Sequence, residues 1–381
     1  MNTHVFIVDD ITFKVHLEYL FAGTGAGNHV VDFNNSKKSS LHHSSERNLV
    51  SMAADGGRIR DGDNVLFYLQ KGLGAGKFYG VFKACGHGCF LDNNNAGQYL
   101  KNDLKKSLTF RALLAPDQVY ANGVTEWEAL DEIKNISSPN QMLWSLIYRK
   151  LKGGRGNTMI TRYESDRLIQ LIRNKNQRAA LKCRGKLLSF DAGKQMIVCE
   201  NQKPRRYAGR QTPINILPRL IGKISAGEVV EAHLQAYISQ NLGLKRNATL
   251  DGALLGSAKL EWLGNEVSCG VGMQSIDIML SVTDGAQKAV MPVELKSVGA
   301  VSQNLAQLRR YIDWVEQYYV PNHQSDIRPV LLTKKGSANR AGGLVADINA
   351  FNQQNKRRCA RLKFVEFDLV GKNLVFKSVK Y

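Results

Sequence analysis

Two periodicities run along this chain and divide it between them. Short runs of β-branched and aromatic residues, four to nine long and bounded by Gly, Asp or Asn, read as strands, and apolar residues at three- and four-residue spacing read as helices. "HVFIVDD" opens as a strand and "TFKVHLEYLFAGTGAG" continues as a short helix or loop ending in glycine. From Asp32 to Asp61 the chain is polar and rich in Ser, Asn and His, the composition of a mobile surface loop. "GDNVLFYLQ" and "KFYGVFKA" are strands joined by "KGLGAGK", which lacks the G-K-[ST] ending of a phosphate-binding loop and reads as a hairpin turn. "LTFRALLAP" adds strand character, "NQMLWSLIYRKL" and "ESDRLIQLIRNK" read as amphipathic helices, and "KLLSFDAGKQMIVCE" as a hairpin turning at Asp191-Ala192-Gly193.

"NQKPRRYAGRQTP" is polar and basic, carries two prolines, and marks a linker over residues 201–220 between a first domain, 1–200, and a second, 221–381. Beyond it "SAGEVVEAHLQAYISQNL" reads as one helix, "EWLGNEVSC", "SIDIMLSV" and "AVMPVELKSV" as strands, and "VSQNLAQLRRYIDWVEQYY" as a helix. "IRPVLLTK" is a strand, "GGLVADINAFNQQN" a helix, and "RLKFVEFDLV" with "NLVFKSVKY" a closing strand pair. This order predicts a mixed sheet flanked by helices, and so an α+β or α/β class for the second domain.

Composition changes the picture in one respect. The 381 residues are 43% hydrophobic, ordinary for a globular protein, but carry a net charge of +19. Between Arg149 and Arg219 stand 18 Lys or Arg against four acids, a local excess of 14 positive charges. Such a concentration favours a polyanion through phosphate attraction and counterion release. No apolar run approaches the roughly 18–20 residues that cross a bilayer, and the amino terminus lacks the basic and apolar regions of a secretory signal, so a cytosolic protein with no membrane partner is expected. Six scattered cysteines make no disulfide framework. Cys85, His87 and Cys89 in "ACGHGCF" have no second ligand cluster and read as a glycine-flanked turn with reduced thiols.

The candidate chemistry lies in "AVMPVELKSV". Alternation puts Glu294 and Lys296 on one face of an apolar strand. Asp277 sits in the preceding strand, and the turn-rich "TDGAQ" between them makes the two strands antiparallel neighbours that bring Asp277 to Glu294. Two converging carboxylates are hard-oxygen ligands suited to Mg²⁺ or Mn²⁺. Such an ion polarises a phosphoryl oxygen and acidifies bound water, and a neighbouring Lys offsets phosphate charge. Glu228 and Glu231, three apart on the preceding helical run, each offer a further acid.

The order D…E-x-K resembles the PD-(D/E)XK nuclease superfamily. "EAHLQAYISQNL", "IDIML", "PVELK" and "AQLRRYIDWV" together look like the carboxy-terminal domain of NucS-type DNA endonucleases, over roughly Ile224 to Tyr381. The resemblance implies a restriction-endonuclease-like mixed sheet and places Glu231, Asp277, Glu294 and Lys296 at the family's catalytic positions. Glu231, Asp277 and Glu294 are then the metal ligands. Gln307 joins the catalytic set, and Tyr311 stands beside it as a DNA contact. "ILPRLIGKISAGEVVE" looks like the opening of a MutL-type ATPase, but neither E-L-x-x-N nor D-N-G-x-G follows, so no nucleotide cofactor is expected.

In the first half Gly62, Asp63, Val65, Phe67 and Tyr68, followed by Tyr79-Gly80-Val81, resemble the EVE/PUA/YTH-like fold, which implies a small β-barrel with helices and a pocket for an unstacked base. Phe13, Trp144 and Tyr148 are the aromatic candidates for that pocket, and Arg155, Arg205, Arg206 and Arg210 the candidates for phosphate contact. A DNA reader joined to a cutter implies a restriction-type endonuclease acting on double-stranded DNA as a homodimer, in a prokaryotic cytoplasm at the nucleoid. The alternatives are a mismatch- or structure-specific repair endonuclease and a non-catalytic nucleic-acid-binding protein.

Overall fold

The computed structural model describes residues 1–25, 31–33, 43–70, 75–93, 97–143, 156–269, 274–336 and 342–381. The chain is mixed α and β and divides into two compact units, the first drawing on Met1–Asp32 and Leu41–Asn215, the second on Ile216–Tyr381. Among the described residues no helix is long and apolar enough to cross a membrane.

The first unit is built on β1 (Thr3–Val8), β2 (Phe21–Thr24), β3 (Asn64–Leu69), β4 (Lys77–Leu91) and β5 (Phe110–Pro116), with the short β6 (Val124–Thr125), β7 (Asn157–Met159) and β10 (Thr212–Pro213) and the short helices α3 (Lys101–Leu104) and α4 (Glu126–Asp131). The pairing path runs β2-β5-β4-β3-β1-β7, with β6 and β10 on β4. Among the described residues no ladder joins β2 to β7, so the pairing does not close into the expected barrel. β3 is buried on both faces, which is why it reads as a continuous apolar run. One face meets Phe6, Phe82 and the hairpin β8 (Leu187–Asp191)/β9 (Met196–Glu200). The other meets Leu168 and Ile172 of helix α5 (Arg162–Lys175), which is introduced by a Thr161–Glu164 capping box.

Several expectations change here. Residues 43–57, inside the stretch read as a mobile loop, form helix α2 (His43–Gly57), because Leu49, Val50, Ala53 and Ala54 recur at helical spacing and are buried. The Cys85–Cys89 stretch is a bulge within β4 rather than a turn, with Gly86 and Gly88 taking the positive φ. Cys183 and Cys199 are joined as a disulfide, their Cα atoms 5.6 Å apart. Phe13, on α1 (Asp10–Tyr19), is fully buried, with ring centroids 5.1 Å from Phe67 and Tyr79 and 4.8 Å from Phe190. It is a core aromatic with no face left for a base. Trp144, Tyr148 and Arg155, and most of the helix expected at 140–151, lie outside the described residues.

In the second unit the strand order is β11 (Lys259–Ser268), β12 (Ser275–Asp284), β13 (Gln287–Lys296), β15 (Val330–Lys334), β16 (Lys363–Val370) and β17 (Asn373–Val379), with β14 (Asp326–Ile327) on β13. β11-β12-β13 and β16-β17 pair antiparallel; β13-β15-β16 pair parallel. Parallel neighbours need crossovers, and helices α9 (Ser302–Trp314) and α10 (Gly342–Asn355) supply them. Pro292, which has no N–H to give, falls where the partner of β13 changes from β14 to β15.

The helix expected over 225–242 begins only at Glu231, and a separate helix ends just before it, at Ser225. Helix α6 (Leu217–Ser225) ends in a Schellman motif: Glu228 N donates to Lys223 O, Gly227 N donates to Ile224 O, and Gly227 takes φ +68°. Helix α7 (Glu231–Asn241) then starts afresh, with Glu231 in its first turn. The short helix α8 (Ala248–Leu254), capped by the Asn247 side chain, has no counterpart in the sequence reading.

Phe13→Ala should lower the stability of the first unit by about 3–5 kcal/mol, the cost of emptying a buried aromatic site. Urea unfolding checks this; a variant as stable as the parent would return Phe13 to the surface of a pocket.

Candidate active site

β12 and β13 pair in a register that matches Ile278 with Val293, so the next step sets Asp277 opposite Glu294. Directly opposed residues of an antiparallel pair share a face. Two residues on, Lys296 shares that face too, and its ammonium lies 2.7 Å from Glu294 Oε1. Glu294 is completely buried. Its Oε1 has the ammonium as an ion-pair partner, while Oε2 lies 2.8 Å from the Tyr311 hydroxyl.

Two helices complete the cluster. From α7, Glu231 places Oε2 3.9 Å from Lys296 Nζ and accepts from Ser297 N at 3.4 Å through Oε1. An acid in the first turn also faces the positive end of its helix. From α9, Gln307 and Tyr311 lie one turn apart on one face, and Gln307 Nε2 donates to the Tyr311 hydroxyl at 2.6 Å. That hydroxyl faces two acceptors, Glu294 Oε2 and Ser275 O at 2.9 Å, with one proton between them. The Tyr311 hydroxyl thus lies within reach of both the Glu294 carboxylate and the Ser275 carbonyl.

Burial and like charge set the electrostatics of the cluster. Burial first, and then the charge of Glu294, push the Asp277 carboxyl up to about 8. Leu295 N, donating to Asp277 Oδ2 at 2.8 Å, opposes this without reversing it. Burial also raises Glu294 against the pull of Lys296 and Tyr311. Desolvation alone would lower Lys296, but Glu294, Glu231 and Asp277 together raise it, so it stays an ammonium at neutral pH. Tyr311 is raised by burial and by both carboxylates, and stays protonated.

Glu231, Asp277, Glu294 and Lys296 are therefore brought together. Gln307 touches Tyr311, and no bond from Gln307 to a carboxylate is found among the described residues. Tyr311, expected at DNA, is 1% exposed and holds Glu294 from beneath, which corrects that assignment. Glu228 is engaged by Lys223 at 2.6 Å. One participant escaped the sequence reading: Gln235 Nε2 donates to Asp277 O at 2.7 Å. Its signal was its place one helical turn beyond Glu231.

Among the described residues no group of three or more His, Cys, Asp or Glu stands as a ready metal cage. The donor type present is hard carboxylate oxygen, the type that Mg²⁺ and Mn²⁺ take, and Asp277 and Glu294 have the one Lys296 ammonium between them.

In the first unit, the arginines expected to meet phosphate are largely engaged. Arg205 donates to Glu18 Oε2 at 2.9 Å and lies over the Tyr19 ring, and Arg210 pairs with Asp92 Oδ1 at 3.4 Å. Arg206 is exposed.

No protein-family profile matches the chain, and no curated protein matches it. Among solved structures, human THYN1 in complex with 5-methylcytosine-containing DNA aligns at a TM-score of 0.25 and 9% identity, over 45% of this chain and 97% of that one. Restriction endonuclease FokI aligns at 0.21 and 10% identity, over 63% of this chain and 41% of FokI. Its DNA-bound form aligns at 0.21 and 11% identity, over 63% and 42%. The alignment thus spans about two fifths of FokI, and at these scores neither likeness defines a fold.

A carboxyl whose pKa is higher folded than unfolded holds its proton longer in the folded state, so stability falls as pH rises between the two values. For Asp277 that window runs from about pH 4 to about 8. Asp277→Asn should flatten this decline and melt above the parent, with the widest gap near pH 8. Thermal melts of metal-free protein across the window check it, and parallel profiles would contradict the repulsion.

Proposed function

We propose that the chain is a metal-dependent DNA endonuclease of restriction type, with its hydrolytic centre in the second unit and DNA recognition in the first. The observation that carries this reading is the convergence of Asp277, Glu294 and Glu231 around Lys296 at one end of the β12–β13 pair. Three acids sharing one ammonium form a centre made for added positive charge. The basic excess between Arg149 and Arg219 supports a polyanionic substrate.

Asp277 and Glu294, with Glu231 beside them, would hold Mg²⁺ or Mn²⁺. When bound, such an ion supplies Lewis-acid polarisation of a phosphoryl oxygen and acidifies a water. The reaction is hydrolysis: a water oxygen forms the new bond to phosphorus, the opposite P–O bond breaks, and the departing alkoxide takes up a proton. Lys296, held as an ammonium by its carboxylate neighbours, acts as a charge and not as a base: it balances the extra negative charge that grows on the phosphate. Tyr311, backed by Gln307, fixes the Glu294 carboxylate, and Gln235 fixes the strand that carries Asp277. Cutting both strands calls for two such centres, and a homodimer supplies them.

The test is incubation with plasmid from hosts with and without DNA modification, in Mg²⁺ or in EDTA. Discrete Mg²⁺-dependent fragments are expected, and Glu294→Ala should slow their formation by about two orders of magnitude or more. The host whose DNA is cut decides whether modification is required. Cutting that survives in Glu294→Ala would overturn the assignment.

A further inference from the structure

The first unit contains a cavity of about 580 Å³ with apolar walls from Leu17, Val119, Leu181, Leu188 and Pro204. Lys182, Arg184 and Lys186 stand along its mouth and are exposed. The backbone explains why all three face outward. Leu181 and Cys183 pack inward on the core, and Leu181 N is tied to Val119 O at 2.8 Å. Cys183 is also cross-linked to Cys199 of β9. Lys186 N then donates to Cys183 O at 3.0 Å, with Gly185 at φ +74°, the conformation that a type II turn requires at its third residue. This turn puts Arg184 at its corner. Leu187 N donates to Gln202 O, which lays the segment carrying the exposed Lys203 alongside.

The charge balance around the cavity is one-sided. Its two acids are already matched: Glu18 by Arg205 at 2.9 Å and Lys14 at 3.9 Å, Asp117 by Lys83 at 4.0 Å. Some exposed cations of the unit do have acids, as Lys194 has Asp191 and Lys175 has Glu128. Lys182, Arg184, Lys186 and Lys203 have no acidic partner among the described residues.

We infer that this turn, Lys182–Lys186 with Lys203 beside it, is the surface on which the first unit carries the sugar–phosphate backbone of DNA. The inference rests on the DNA reading above and moves the phosphate contacts away from Arg205 and Arg210, which acids already neutralise. A turn held by a backbone hydrogen bond and a cross-link presents its charges at little ordering cost, and unpaired cations release no partner acid into solvent when a phosphate arrives.

The test uses the full chain in EDTA, so that cutting cannot interfere, with a labelled duplex of about 20 base pairs followed by fluorescence anisotropy from 50 to 300 mM salt. Lys182, Arg184 and Lys186 are changed together, to Ala in one variant and to Glu in another; the side chains are exposed, and unchanged thermal melts establish that the fold is kept. Both variants should lose about tenfold or more in affinity at 0.1 M salt. The Ala variant should also show a log–log salt slope shallower by about 2–3, the loss of three phosphate contacts. Variants that bind as tightly as the parent with the same slope would overturn the inference and leave the endonuclease reading intact. A parent that binds anionic vesicles but no duplex would overturn both.

Discussion

Like charges facing each other across two adjacent strands set the terms for the whole second unit. Asp277 and Glu294 cannot both ionise at low cost in a buried position, and the surrounding structure is arranged to bear that cost. An antiparallel β12–β13 pair is what places the two carboxyls opposite each other. The parallel β13–β15 pair on the other side forces a crossover, and the crossover helix brings Tyr311 and Gln307 to Glu294. A Schellman motif at Gly227 ends one helix so that the next can begin at Glu231, beside Lys296. Each of these devices has a separate local cause. Together they hold a buried cluster in which burial raises both the Asp277 and the Glu294 carboxyl.

The first unit treats charge differently. Its buried Arg111 is satisfied from every side: Leu108 O and Tyr99 O accept from it, Tyr207 Oη and Asp92 Oδ2 lie at 3.1 and 3.2 Å, and its guanidinium lies over the rings of Phe21 and Tyr207. Arg210 shares the same aspartate. Counting lysines and arginines along the chain therefore overstates the charge offered to a ligand. What is offered is the fraction without an acid, and Lys182, Arg184 and Lys186 of that fraction stand close together on one turn.

Much of this was legible from residue order alone. The strands of the second unit are apolar runs with clear turns between them, so the meeting of Asp277 with Glu294 and Lys296 followed from alternation. Depth was not legible: helical spacing assigned Tyr311 to a face but could not say that the face is buried against a carboxylate. Nor were long-range partners, since the acids that claim Arg205 and Arg210 lie 187 and 118 residues away. Polar composition hid α2, whose four buried apolar residues, Leu49, Val50, Ala53 and Ala54, are outnumbered by Ser, Asn and charged neighbours. Gln235 went unnoticed because its partner is a backbone carbonyl on a strand 42 residues later.

The endonuclease proposed here requires the Asp277–Glu294 cluster to bind a cation. The most direct measurement is the thermal stability of DNA-free protein at pH 7.5 as Mg²⁺ is titrated in, for the parent and for Glu294→Gln. A ligand that binds only the folded state raises the melting temperature with its concentration. The parent should therefore gain several degrees in a saturating curve, and Glu294→Gln should gain little. A flat parent curve, or an equal rise in both proteins, would contradict the account.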